Sequence, residues 1–343
     1  MHPVKRGAAM GAGALAFGGL AAALIARRAS RPSRDFVGKT VVITGGSRGL
    51  GFELARQFGR RGARVAICAR TGEQVERARE KLEGLGIECF AQTCDVSQQE
   101  QVNKFIADVR SRFGAIDVLV NNAGIIQVGP FANQTVADFE QAMNANFWAA
   151  VYATYAVLPE MRERGRGSIV NISSIGGKIP VPHLLPYTAS KFALTGFSEG
   201  LHAELNGTGI SVTTVCPGLM RTGSQINALF KGQHEKEYAW FMLGGSTPLS
   251  SINASRAARQ IVEATKHRRR ELIITWQAEL VARLHGLLPE LTGAVLAQVN
   301  RLLPEPGSNE TRRGSESESA ATRNPITIGN RWASRRLNEK RAV

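Results

Sequence analysis

Three side chains in this chain are spaced for carbonyl chemistry: Ser174, Tyr187 thirteen residues on, and Lys191 four beyond that, in Asn171-Ile-Ser-Ser174 and Tyr187-Thr-Ala-Ser-Lys191. Reducing a ketone by hydride transfer needs a proton at the oxygen as hydride reaches the carbon. A phenol of pKa about 10 donates well near neutrality only if that value is brought down. If Tyr187 opens a helix, Lys191 lies one turn along on the same face, where its ammonium favours the phenolate and can bond a nicotinamide ribose. Ser174 ends the apolar run 168–174 and can hydrogen-bond the substrate oxygen, stabilising the charge that develops there, while Ser173 should face the other side of the strand. Tyr-x-x-x-Lys occurs by chance on many helices, so its weight depends on the elements that would position it.

Upstream, residues 40–44 read as a buried strand, followed by Gly45-Gly-Ser47-Arg48-Gly49-Leu50-Gly51 and a helical run from Phe52. Strand, glycine turn and helix let a backbone approach a pyrophosphate, with helix N-terminal amides aimed at it. The spacing is Gly-x-x-x-Gly-x-Gly rather than Gly-x-Gly-x-x-Gly. The next strand, 64–68, ends at Ala69-Arg70, where an NAD-binding protein usually offers a carboxylate to the ribose 2′-hydroxyl. With no acid there, and with the guanidinium groups of Arg70 and Arg48 at hand, NADP(H) is expected in preference to NAD(H). The competing reading is that both arginines are solvated surface charges.

These motifs, taken in order, resemble the short-chain dehydrogenase/reductase family from about Lys39 to Thr275. Thr44–Gly51 resembles its nucleotide loop, Asp95-Val96 its adenine contact, and Asn121-Asn122-Ala123-Gly124 its central-sheet motif. Ser174, Tyr187 and Lys191 match its catalytic positions. Asn146 falls where the family carries a relay asparagine that holds a water, and the following Phe-Trp-Ala-Ala favours it over Asn144. Pro217-Gly218 matches the turn beside the nicotinamide, with Thr222 as the carboxamide contact. The resemblance implies an α/β fold, a Rossmann-type doubly wound sheet of seven parallel strands with helices on both faces. Apolar segments at 40–44, 64–68, 88–93, 116–120, 168–173, 211–216 and 271–275 agree with it. It also implies an active oxidoreductase and a homo-oligomer.

The 343 residues, 43% of them apolar, suffice for one catalytic domain over 35–275. Cys68, Cys89, Cys94 and Cys216 fall in or near core strands without metal-site spacing, reading as buried thiols in a reducing compartment, and no metal is expected. Of the net charge of +15, residues 1–34 hold six basic and no acidic groups and 301–343 hold nine basic and five acidic. An excess confined to the ends, without a nucleic-acid motif, argues against nucleic acid and for attraction to an anionic membrane surface.

Within the basic leader, residues 7–26 form an uncharged run long enough to cross a bilayer, although fourteen of the twenty are Gly or Ala. A membrane anchor, a cleaved signal peptide and a surface-lying leader compete. Arg27 and Arg28 disfavour the signal peptide, and as an anchor the run would leave the catalytic domain on the cytoplasmic side. Residues 276–303 have helical periodicity interrupted at Pro289, suited to packing on the core or a sister subunit, or else to a substrate lid or a membrane contact. From 304 to 343 the composition predicts a disordered basic tail.

Leu229, Phe230, Tyr238, Trp240, Phe241 and Met242, with Ile175, Ile179, Val181, Leu184 and Leu185, predict an apolar pocket unless they are simply helix core. His183 reads as a loop residue. The resulting expectation is an NADP(H)-dependent oxidoreductase acting on an apolar carbonyl or alcohol. The alternative is a membrane-associated NADP-binding scaffold or redox sensor with little turnover.

Overall fold

A computed structural model describes residues 36–246, 251–319, 322 and 328–339. The candidate anchor at 7–26 lies outside them, and among the described residues no helix is long and apolar enough to cross a membrane.

Seven strands form one parallel sheet: β1 (Thr40–Thr44), β2 (Arg64–Ala69), β3 (Cys89–Thr93), β4 (Val118–Asn121), β6 (Gly167–Ile172), β7 (Ile210–Pro217) and β11 (Glu271–Ile274), in the order β3-β2-β1-β4-β6-β7-β11. Val42 of β1 lies opposite Ala66 on one side and Leu119 on the other. Strands covered on both faces have no solvent side, which is why β1, β4, β6 and β7 are buried along their whole length. Helices α1 (Gly49–Gly59), α2 (Gly72–Glu83) and α8 (Ala254–Lys266) cover one face through Leu54, Phe58, Leu82 and Ile261. On the other face α3 (Gln99–Phe113), α5 (Ala149–Glu163) and α6 (Leu185–Glu204) pack Phe105, Val157 and Leu201. The order reverses between β1 and β4, so the loops after these two strands part over the sheet and leave a crevice at its carboxyl edge.

The short strands β5 (Gln127–Val128) and β9 (Leu229–Gly232) join helix α7 (His234–Gly244) in a third core of Val128, Leu184, Phe230, Tyr238 and Met242. Four residues expected to line a pocket, Leu184, Phe230, Tyr238 and Met242, are therefore buried against one another. The helix-core alternative holds for them, because a flap this small needs its own apolar centre. Val181, Trp240 and Phe241 remain partly buried around it, beside Tyr187.

After β11 the expected helical extension is a pair, α9 (Trp276–Leu287) and α10 (Pro289–Asn300), with Pro289 opening the second helix rather than kinking one. Apart from Ala278, buried beside Gly218, the pair leaves its apolar side chains off the core: Leu287 and Leu291 are 78% and 59% exposed. Nor is the tail disordered throughout, as its composition predicted. Strand β12 (Ser308–Arg313) pairs antiparallel with β9, and α11 (Ile328–Arg336) leads to a buried Leu337-Asn338-Glu339. An open strand edge satisfies the backbone of a polar segment regardless of its side chains, which composition does not register.

Candidate active site

Tyr187 and Lys191 lie on α6 one turn apart, with Pro186 in the first turn of that helix, where a missing amide costs nothing. The Lys191 ammonium donates to the Ile172 carbonyl at 2.9 Å and sits 5.7 Å from the Tyr187 ring centroid. Ser174 caps a short turn after β6, its Oγ accepting from the Gly176 amide at 3.1 Å while its hydroxyl bonds the Tyr187 phenol. A Cβ built on Gly176 would lie 3.4 Å from Tyr187 Cε1 and 3.6 Å from Ser174 Oγ, so the two side chains flank one gap. Ser173 turns away, as the strand alternation predicts, and bonds the Lys191 carbonyl and the Thr195 hydroxyl, tying β6 to α6.

Asn146 sits in a π turn, Asn144–Trp148, between α4 (Val136–Met143) and α5. The extra residue per turn loosens the helix ladder and directs this amide inward. Asn146 Oδ1 accepts from the Ile125 amide at 2.8 Å and Nδ2 donates to Ser190 Oγ at 2.8 Å, and Ser190 in turn donates to the Tyr187 carbonyl. A Cβ on Gly124 would fall 2.5 Å from Asn146 Oδ1 and 3.6 Å from Lys191 Nζ. The chain has no side chain where these two approach.

The glycine turn has the cradle expected for a dinucleotide. Gly45 and Gly49 take φ of +64° and +58°, and a Cβ at Gly45 would strike the Ala123 backbone at 2.8 Å. Thr44 Oγ1 accepts from the amides of Asn122 and Ala123, and Asn122 Nδ2 donates to the Thr44 and Gly45 carbonyls, clamping the two loops of the crevice together. Ser47 and Leu50 are buried at the mouth of α1, while Arg70, at the end of β2, is exposed. Asp95 accepts from the amide and hydroxyl of Ser97, and Val96 is buried beside it. Pro217 ends β7, the Gly218 amide donates to Ile274 O, and Thr222 is buried with its hydroxyl on Ser224.

A family model described as short chain dehydrogenase matches residues 39–230. The chain belongs to the short-chain dehydrogenase/reductase family. Among its relatives, the ketoacyl reductase HetN of Nostoc is 35% identical over 69% of this chain and 78% of its own. Dehydrogenase/reductase SDR family member 7B of Danio rerio is 32% identical over 86% of this chain and 96% of its own. A tryptophan variant of the actinorhodin polyketide ketoreductase, solved with NADPH, superposes with a TM-score of 0.60 at 31% identity, covering 71% of this chain and 97% of that one. This short-chain dehydrogenase/reductase is thus an oxidoreductase of a nicotinamide-dependent family, and its glycine cradle fits such a cofactor.

One expectation for the dehydrogenase needs correction. Burial raises the Tyr187 phenol above its ordinary value and the Ser174 hydrogen bond only partly offsets this, so the expected lowering by Lys191 is not found. The ammonium is directed at a carbonyl instead, and burial brings Lys191 itself down to about 8.

A residue the sequence did not flag is Glu237, fully buried on α7. His183, in a left-handed turn at φ +61°, donates Nδ1–H to Glu237 Oε1 at 2.8 Å, and Trp240 Nε1 donates to Oε2 at 2.7 Å. The pair fastens the flap to the loop that leads into Tyr187. No local pattern announces it, because Glu237 follows His234, Glu235 and Lys236 in the polar first turn of the helix. Glu237→Ala is expected to cost about 2 kcal/mol, by orphaning the buried His183 and half-buried Trp240 donors, and to raise KM more than it lowers kcat. A denaturant melt and steady-state kinetics check this, and unchanged stability would contradict it.

Proposed function

We propose that this oxidoreductase interconverts a ketone and a secondary alcohol on an apolar, ketoacyl-like substrate, with NADP(H) preferred over NAD(H). The observation that carries the reading is the gap flanked by Ser174 Oγ and the Tyr187 ring, with Lys191 and Asn146 meeting at Gly124 behind it. The bound nicotinamide supplies or accepts the hydride. Gly45, Ser47, Gly49, Leu50 and Gly51 would hold its pyrophosphate, Asp95 and Val96 its adenine, and Asn122, Ala123, Gly124, Pro217, Gly218 and Thr222 its nicotinamide half.

In the reductive direction Ser174 turns its O–H from Tyr187 to the substrate oxygen, polarising the carbonyl. Tyr187, the phenol that borders the gap, gives its proton to that oxygen. Lys191 would hold the nicotinamide ribose, and Asn146 would orient the water through which the proton returns. The ketoacyl and polyketide reductases among the relatives support the substrate class, as do Val181, Trp240 and Phe241 beside Tyr187.

The test is NADPH oxidation against a panel of apolar ketones and ketoacyl thioesters. Turnover supports the reading, whereas tight NADPH binding with silence across the panel would favour the scaffold alternative. For cofactor preference, Arg70→Asp is expected to weaken NADPH relative to NADH by about ten- to a hundredfold, the worth of one charge-assisted hydrogen bond. Equal loss for both cofactors would show that Arg70 does not read the 2′-phosphate.

A further inference from the structure

The N-terminus of α1, where the dinucleotide's pyrophosphate belongs, is engaged by this chain's own C-terminal segment. The Gly49 amide, one of the helix donors with no partner inside α1, donates to the Leu337 carbonyl at 2.8 Å. Asn338, in a left-handed turn at φ +60°, donates Nδ2 to the carbonyls of Ser47 at 2.8 Å and Gln74 at 3.2 Å and accepts from Lys81 Nζ at 3.0 Å. Glu339 lies 3.5 Å from Arg48 Nε and accepts from Asn227 Nδ2 at 2.6 Å. Its Oε1 would be 2.6 Å from a Cβ built on Gly49, so the carboxylate fills the space that the glycine leaves open. A carbonyl on a helix N-terminal amide, with a carboxylate beside a guanidinium, places oxygens where those of a bound phosphate would lie.

We propose that Leu337-Asn338-Glu339 is an intramolecular competitor of the dinucleotide, a pseudo-ligand that must leave the cradle before the cofactor can bind. The proposal rests on the dinucleotide reading of that cradle. It also links two sites, because the same tail is moored to the flap. Asn330 Nδ2 donates to Gly245 O at 3.2 Å and Ser246 Oγ at 2.8 Å just after α7, and Arg336 donates to Ser255 Oγ at 2.7 Å on α8. Filling the cradle therefore removes freedom from the segment next to the substrate gap.

The docked state is held strongly enough to be populated and imperfectly enough to be displaced. Leu337, Asn338 and Glu339 are all buried, yet a cleft of about 370 Å³ remains beneath α11, between Trp332, Arg336 and Leu337 on one side and Arg221, Asn253 and Ser255 on the other. Burial drives the Glu339 carboxyl up to about 7, with Arg48 and then Asn227 opposing, so its charge is incompletely compensated. A diphosphate brings more charge to the same amides and guanidinium.

The deciding experiment compares NADPH dissociation constants, by fluorescence titration, for the full chain, the chain ending at 327, and the full-length double substitution Asn338→Gly with Glu339→Arg. The substituted chain keeps α11 and serves if the shortened one does not fold. Release of a tail docked in nine molecules of ten tightens binding about tenfold. Hydrogen exchange supplies a second readout: adding NADPH to the full chain should speed exchange across 330–339. Unchanged or weaker NADPH binding in the folded variants, or slower exchange of the tail with NADPH, would overturn the proposal and make the tail neutral or part of the cofactor site. Failure of all folded forms to bind NADPH would instead remove the dinucleotide reading beneath it.

Discussion

Tyr187→Phe is expected to lower kcat at least about a hundredfold, the usual contribution of a positioned general acid, while leaving NADPH affinity within about twofold. The substitution removes one oxygen. The ring keeps its place against the flap core of Leu184, Phe230 and Tyr238, and Ser174 keeps the Gly176 amide as its donor. Burial already raises the Tyr187 phenol, so losing the hydroxyl orphans no charged group and the melting temperature should hardly move. Loss of kcat in a folded, NADPH-binding protein assigns proton transfer to Tyr187. Undiminished turnover would place the donor elsewhere and leave Ser174 as the side chain to test.

Lys191→Met is expected to abolish turnover and, at the same time, to stabilise the protein. Lys191 is 4% exposed, and burial takes its pKa from 10.5 to about 8. That difference corresponds to about 3 kcal/mol against folding while the unfolded chain carries the proton more readily. The sign follows from proton counts. Between pH 8 and 10.5 the unfolded chain binds more protons at this site than the folded one, so stability rises with pH across that window, and below it the full cost remains. Replacing the ammonium by an apolar chain of similar reach removes this cost at pH 7, less about 1 kcal/mol for the hydrogen bond to Ile172. Chemical denaturation should therefore show the variant more stable by about 2 kcal/mol at pH 7, with the gap closing as pH approaches 10.5. A variant less stable at neutral pH would mean that Lys191 is a structural anchor rather than a strained functional group.

The sheet and the clustering of Ser174, Tyr187 and Lys191 were legible because each rests on a local, periodic signal. Strands covered on both faces read as apolar runs, and the expected and observed limits differ by at most two residues, as with 116–120 against Val118–Asn121. Glycines 45 and 49 announce themselves by spacing because glycine takes a left-handed backbone without steric cost and leaves no Cβ in the crevice. Asn146 was legible by position, but the π turn that directs it inward carries no residue signature. Where the reading went wrong, distant segments met. Whether Phe230 and Tyr238 face a substrate or each other depends on the flap closing on its own core. The raised phenol of Tyr187 depends on burial rather than on its neighbour at i+4. Asn338 and Glu339 meet Ser47 and Arg48 from nearly three hundred residues away, through a tail whose composition resembles a disordered one.

The central claim is hydride transfer from the nicotinamide to a carbonyl carbon, and isotope tracing tests it most directly. Incubating the enzyme with a ketoacyl thioester and NADPH deuterated at the transferring position of C4, then analysing the alcohol by mass spectrometry, should find one deuterium bound to the carbinol carbon. With ordinary NADPH in heavy water, the carbinol carbon should carry none. Solvent deuterium at that carbon, or NADPH consumed without a labelled alcohol, would contradict the account.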